Sequence, residues 1–150
     1  MIEVAQLEDL PDVVNLILKR GEEFDYESHG FPLPQRDAIV KTVVRGWQQA
    51  PCFLVKVDGE TVGCASLTLF SFGWSDEKVL SSFMVYILPK HRNNDRVKGL
   101  YGAIKDYANC NGLLYADDYI AIDRVAARQR LMRSLEFQES GYLFTYNGKS

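Results

Sequence analysis

An apolar run from Val79 to Leu88 halts at Pro89. A short polar stretch containing Arg92 comes next, then an amphipathic segment from Val97 to Ala108, Gly112, and a second apolar run from Leu113 to Ile120. Few folds accommodate this order. Strand, helix and strand in succession predict a parallel crossover, and parallel pairing needs a sheet covered by helices. The first join has its own chemistry. The first-turn N–H groups of a helix lack intrahelical partners, and the helix dipole is positive at that end. A strand that stops where such a helix begins is suited to a pyrophosphate-bearing ligand.

The remaining segments extend this plan. Ile2 to Ala5 reads as a short first strand. Asp9 caps a helix with Pro11 in its first turn and apolar residues at Leu10, Val13, Val14, Ile17 and Leu18; Lys19, Arg20 and Gly21 read as its end. Ile39, Val40, Val43, Val44 and Trp47 recur at helical spacing. Phe53–Val57 and Thr61–Leu67 flank Asp58-Gly59, a pair favoured in two-residue hairpin turns because both positions need positive φ. A fourth helix is predicted over Arg124–Leu135 and a last strand over Tyr142–Tyr146. The expectation is an α/β (α+β) fold: a mixed central sheet of about six strands with about four helices on both faces, in a single domain over residues 1–150.

Composition narrows the function. With 150 residues, 47% of them apolar, the chain can bury a substantial core. A net charge of −3 argues against a global field that would attract nucleic acid. No apolar run approaches a membrane span of about 18 residues, so no membrane partner is expected. The start, MIEVAQLEDL, has neither the basic nor the apolar stretch of a signal peptide. Cys52, Cys64 and Cys110 fit reduced thiols, and a cytoplasmic location is expected. The two histidines are far apart in sequence, and no metal site is expected.

The order of elements, the hairpin and Pro89-Lys90-His91-Arg92 resemble the GNAT superfamily of N-acetyltransferases over nearly the whole chain. In that family Pro-x-x-Arg opens a Gln/Arg-x-x-Gly-x-Gly loop whose amides grip the pyrophosphate of acetyl-CoA. Leu100, Tyr101, Ile104, Ala108 and Gly112 fall where the family has apolar, small and glycine positions. Asp95 and Val97 stand at the two loop glycines, where glycine permits close backbone approach and, in some loops, positive φ; a left-handed non-glycine would cost roughly 1–2 kcal/mol. The resemblance implies a CoA-dependent N-acyltransferase with acetyl-CoA as donor. The donor would lie along the backbone of Ile87 and Leu88 and against Arg92, Asn93, Asn94, Asp95, Arg96, Val97 and Lys98. The implied partner is an amine on a small molecule or protein, and a homodimer is carried as an open assembly.

The chemistry of proton transfer is less well supplied. The strand before Pro89 holds no acid, and Tyr86 is its only titratable group, with an ordinary pKa of about 10. His29 lies in the loop that the resemblance places beside the acceptor. Tyr86 and His29 are therefore the catalytic candidates. The family's proton-donating Tyr position carries Met132, whose thioether has no proton to give, and Glu136 replaces a glycine before Phe137. Arg128 falls inside an apolar helical stripe and must meet either a cofactor or acidic substrate, or a carboxylate such as Asp117 or Asp118. The alternative implied by these departures is a catalytically inactive GNAT-fold binding module of the kind found among phage-encoded proteins.

Overall fold

The computed structural model describes residues 1–117, 125–140, 146 and 148. They form two units, Met1–Asp117 and the chain beyond it. In the first unit β1 (Ile2–Val4) precedes α1 (Leu10–Glu23) and α2 (Arg36–Trp47). Then come β2 (Cys52–Val57), β3 (Glu60–Ser71), β4 (Lys78–Ile87), α3 (Asn94–Cys110) and β5 (Leu114–Ala116). The strands make one five-stranded sheet in the order β1-β2-β3-β4-β5. All neighbours are antiparallel except β4 and β5, which are parallel. The crossover through α3 is thus present. Of the sixth strand expected over Tyr142–Tyr146 only Tyr146 is among the described residues, and the part of the expected fifth strand beyond Asp117 lies outside them.

Period-two alternation divides the sheet into two apolar faces. Leu54, Cys64 and Tyr86 sit side by side in register and pack with Val13, Val14, Leu16 and Ile17 of α1 and Ile39 and Val43 of α2. The opposite face carries Ile2 and Val55 and receives α3, which buries Leu100, Tyr101, Ile104 and Ala108. Asp58 and Gly59 turn the β2–β3 hairpin at φ of 51° and 81°, as expected of Asp-Gly. β2 begins opposite Ser66, so β3 beyond that point has no strand on that edge among the described residues. The Gln49 side chain takes its place, with Oε1 accepting from Leu69 N at 3.2 Å and Thr68 Oγ1 at 3.1 Å.

Helix boundaries differ from expectation at the end of α1 and at both ends of α3, which runs on past Ala108 to Cys110. α1 does not stop at Gly21 but continues to Glu23. A Cβ on Gly21 would lie 2.6 Å from Pro34 Cγ, so this glycine serves close packing rather than termination. α3 begins three residues before Val97, at Asn94, because Asn93 Oδ1 accepts the Arg96 amide at 2.8 Å and caps the helix there.

In the second unit α4 spans Val125–Ser134. Phe137 N bonds Met132 O and Glu136 N bonds Arg133 O, both at 3.0 Å, which closes the helix with a Schellman turn. Glu136 sits at its left-handed position, φ 65°. That conformation explains why a glycine would suit the position.

Candidate functional site

The site begins where β4 leaves its parallel neighbour. β4 pairs with β5 only from Val79 to Ser81, opposite Leu114 to Ala116. On its other edge Ser82 is opposite Leu67 and Met84 is opposite Ser66, so Phe83 is an extra residue in the ladder. Such a bulge bends the strand and re-aims the residues past it. Further along, Leu88 N donates to Val62 O at 2.8 Å. Alternation then turns the N–H and C=O groups of Val85 and Ile87 away from β3, along an edge with no strand partner among the described residues. Of the two residues expected along the donor, the Leu88 amide is therefore spent on the sheet, while Ile87 faces the open edge.

That edge leads to the start of α3. Pro89–His91 form a single 3₁₀ turn, and Arg92 and Asn93 return to extended backbone. The amides of Arg96 and Val97 bond to Asn93, through its side chain at 2.8 Å and its carbonyl at 3.1 Å. The amides of Asn93, Asn94 and Asp95 have no partner among the described residues. Asp95 and Val97 lie in the first turn of α3, and neither has positive φ. The left-handed strain expected from losing two glycines does not arise. What Asp95 adds is a carboxylate in the first turn.

The charged side chains here are not equivalent. Arg92 is bound into the fold: Nε donates to Ile87 O and Nη2 to Glu23 Oε2, both at 2.7 Å, and its guanidinium carbon lies 5.2 Å from the Tyr86 ring centroid. Arg96 Nη1 donates to His91 O at 2.8 Å. Lys90 and Lys98 are exposed. Burial works against the charged form of Glu23. Hydrogen bonds from Arg92 and Tyr86, with the charges of Arg92 and Arg20, outweigh it and hold the carboxyl below its ordinary value. Burial, and then the facing Glu23 carboxylate, push the Tyr86 phenol well above its own. Tyr86 is thereby a weaker acid than an ordinary tyrosine, and its phenolate is scarcer at neutral pH. His29 ends an exposed 3₁₀ turn, Glu27–His29, in the α1–α2 connection, and its amide donates to Tyr26 O at 3.3 Å.

The Glu23–Arg92 pair links the stability of the fold to pH. A lowered folded pKa stabilises the protein above the unfolded value and loses that contribution as pH falls through the folded one. Glu23→Gln is therefore expected to cost up to about 1 kcal/mol at pH 7, the surface-pair scale, since both side chains are over a third exposed. The gap between the two proteins should narrow in urea melts as pH falls below the ordinary glutamate value of about 4.3.

A second polar cluster lies where β4 and β5 part. Ser82 and Asp117 are the residues immediately after the last pair, Ser81 and Ala116. Ser82 Oγ lies 3.1 Å from Asp117 Oδ1. Tyr115 OH lies 3.0 Å from Ser82 Oγ and 3.3 Å from the same carboxylate oxygen. Burial and the Asp117 charge raise the Tyr115 phenol pKa, and Tyr101 of α3 faces it as well. β4 carries no acid, and the fold brings one to Ser82 from Asp117, the residue that follows β5. Glu23 lies past the helix end that Lys19, Arg20 and Gly21 predict, so no local pattern in the sequence marks it.

A family model described as the acetyltransferase (GNAT) family matches residues 17–137. Among curated proteins no sequence matches. Similar solved structures include AAC(6')-Iy in complex with the bisubstrate analogue CoA-S-monomethyl-acetylneamine. It is 18% identical with a TM-score of 0.73, covering 100% of this chain and 98% of that one. A possible acetyltransferase from Clostridium difficile 630 is 17% identical with a TM-score of 0.71, covering 100% and 98%. A ribosomal-protein-alanine N-acetyltransferase from Brucella melitensis biovar Abortus 2308 is 14% identical with a TM-score of 0.69, covering 97% and 99%.

Proposed function

The chain belongs to the acetyltransferase (GNAT) family, and from that premise we propose that it transfers an acyl group from acetyl-CoA to an amine of a small molecule or protein. One observation carries the reading. The amides of Asn93, Asn94 and Asp95 have no partner among the described residues at the start of α3, directly beyond the edge of β4 that has no strand partner among the described residues. They suit a diphosphate, the strongest recognition element of such a donor. The Ile87 and Val85 amides along the edge suit the amide-bearing arm behind it. Bound there, the donor supplies an activated acyl group; the chain supplies orientation, which removes much of the entropic barrier to amine attack. Arg92 serves by holding the strand end and α1 in place, since its guanidinium is engaged within the protein. A single domain over 1–150, a cytoplasmic location and self-association belong to the same proposal.

Calorimetry with acetyl-CoA and thermal melts test it. At 100 times its Kd the donor should stabilise the fold by about 2.7 kcal/mol, a rise in Tm of roughly 5–10 °C. No heat and no shift at millimolar acetyl-CoA would end the proposal. Binding without transfer to any amine is the result expected of the inactive binding module, which the thioether at Met132 favours.

A further inference from the structure

We propose that Glu23 is a positioning residue that couples the donor loop to the aromatic connection between α1 and α2, so that acetyl-CoA bound at the start of α3 orders Tyr26–Phe31. The inference rests on the donor placement above. Its ground is one carboxylate with partners on two segments. Arg92 Nη2 donates to Glu23 Oε2 at 2.7 Å, and the Tyr86 phenol donates to the same carboxyl group. Arg92 also closes on the strand itself, with Nε on Ile87 O at 2.7 Å and its guanidinium carbon 5.2 Å from the Tyr86 ring centroid. Glu23 thus grips the end of β4 and the loop together. Asn93, next after Arg92, carries the first of the amides without a partner among the described residues.

The other side of Glu23 leads into the connection. Glu23 is the last residue of α1, and Phe24 leaves the helix in extended backbone, φ −103° and ψ 123°. The Arg20 guanidinium lies over the Phe24 ring at 4.5 Å, and that ring is 4.5 Å from Tyr26 and 6.5 Å from Phe31 between centroids. The backbone beyond closes on itself: His29 N and Phe31 N donate to Tyr26 O, and Gly30 N to Glu27 O. The Glu23–Arg92 pair ties the root of this unit to the donor loop. A diphosphate on the Asn93–Asp95 amides fixes Arg92, which fixes the Glu23 carboxylate and the direction in which Phe24 departs. Such coupling is reciprocal, so a group docked on the aromatic connection strengthens donor binding by the same factor. Both side chains of the pair are over a third exposed, which sets the size of the effect at a few-fold. A different role for Arg92 has the opposite sign. Were it a phosphate ligand that Glu23 merely holds in reserve, removing the carboxylate would free the guanidinium and tighten donor binding. The bond from Nε to Ile87 O favours the positioning role.

The test uses the intact chain, acetyl-CoA, calorimetry and amide hydrogen exchange. In the parent, saturating acetyl-CoA should slow exchange at the His29, Gly30 and Phe31 amides about threefold to fivefold, and at Asn93–Asp95 as well. Glu23→Gln should raise the Kd for acetyl-CoA by about the same factor. With the donor saturating, this variant should keep the protection at Asn93–Asp95 and lose it at His29–Phe31. A carboxylate with a purely structural role would speed exchange in the connection equally with and without donor; a donor-dependent ratio unchanged from the parent would therefore overturn the inference. Arg92→Lys keeps the charge but loses the planar fork that reaches Ile87 O and Glu23 together. It should repeat the Glu23→Gln result and stands in if that variant melts early. Tighter acetyl-CoA binding in Glu23→Gln would also overturn the coupling, by showing Arg92 released to the phosphates. A parent that binds acetyl-CoA with no protection at His29–Phe31 would overturn it and leave the donor site intact. A parent that takes up no acetyl-CoA would overturn both.

Discussion

Gly46→Ala should melt roughly 5–10 °C below the parent chain, the consequence of about 2–3 kcal/mol of overpacking. Helix propensity alone points the other way, since alanine is favoured over glycine inside a helix by about 1 kcal/mol. Contact decides the sign. An ideal Cβ on Gly46 would lie 2.4 Å from the Leu67 carbonyl oxygen, backbone that cannot rotate aside. That carbonyl belongs to β3 at the register shift opposite the β4 bulge, so relief must come from moving α2 off the sheet. Gly102 in α3 is the control. Nothing lies within 4 Å of its Cβ position, so Gly102→Ala should raise stability by about 0.4–1 kcal/mol. Melts of both variants read the contrast. Equal stabilisation in both would show that α2 does not bear on β3 closely enough to exclude a methyl group.

The same local signal can have two causes, and this limited what the sequence could say of the fold. Asp58-Gly59 could be read because positive φ at two successive residues is a property of the pair itself. Gly21 could not. After Lys19 and Arg20 it has the composition of a helix end, yet its lack of a side chain serves Pro34, 2.6 Å from where a Cβ would be. Nothing local to Gly21 distinguishes a glycine that ends a helix from one that lets another segment approach. The start of α3 was legible in principle, since Asn93 is a favoured cap with the Arg96 amide in reach. Apolar periodicity, which begins only at Val97, obscured it.

The site was legible where the chemistry is carried by backbone and hidden where it is carried by pairs. The α3 amides without a partner among the described residues arise from a strand, a loop and a helix in succession, and the sequence displays all three. Glu23 with Arg92 joins residues 69 apart, and Ser82 with Asp117 joins residues 35 apart. Periodicity over a window of one element has no access to such pairs. The register of β4 on β5 creates the second pair. A shift of one residue would turn Asp117 to the other face of the sheet. The bend at Phe83 is equally a property of two strands together, because a bulge is defined only by what lies opposite.

Asp95 gives the site its most diagnostic variant, because its two roles oppose each other. In the first turn of α3 a carboxylate interacts favourably with the helix dipole, by about 0.3–1 kcal/mol. On the proposed reading the same carboxylate stands beside a bound diphosphate and repels it. Near a protein surface such repulsion is on the order of 1–1.5 kcal/mol, or close to tenfold in Kd. Asp95→Asn should therefore lower the Tm of the ligand-free chain slightly and tighten acetyl-CoA binding up to about tenfold. Asparagine is the substitution of choice, because glycine would add a cost in helix propensity of about 1 kcal/mol. The gain should shrink at high salt, where the Debye length falls to about 3 Å at 1 M. Calorimetry at low and high salt separates this from a conformational effect, which salt would leave in place. Unchanged or weaker binding in Asp95→Asn at low salt would mean that the diphosphate does not dock on the Asn93–Asp95 amides.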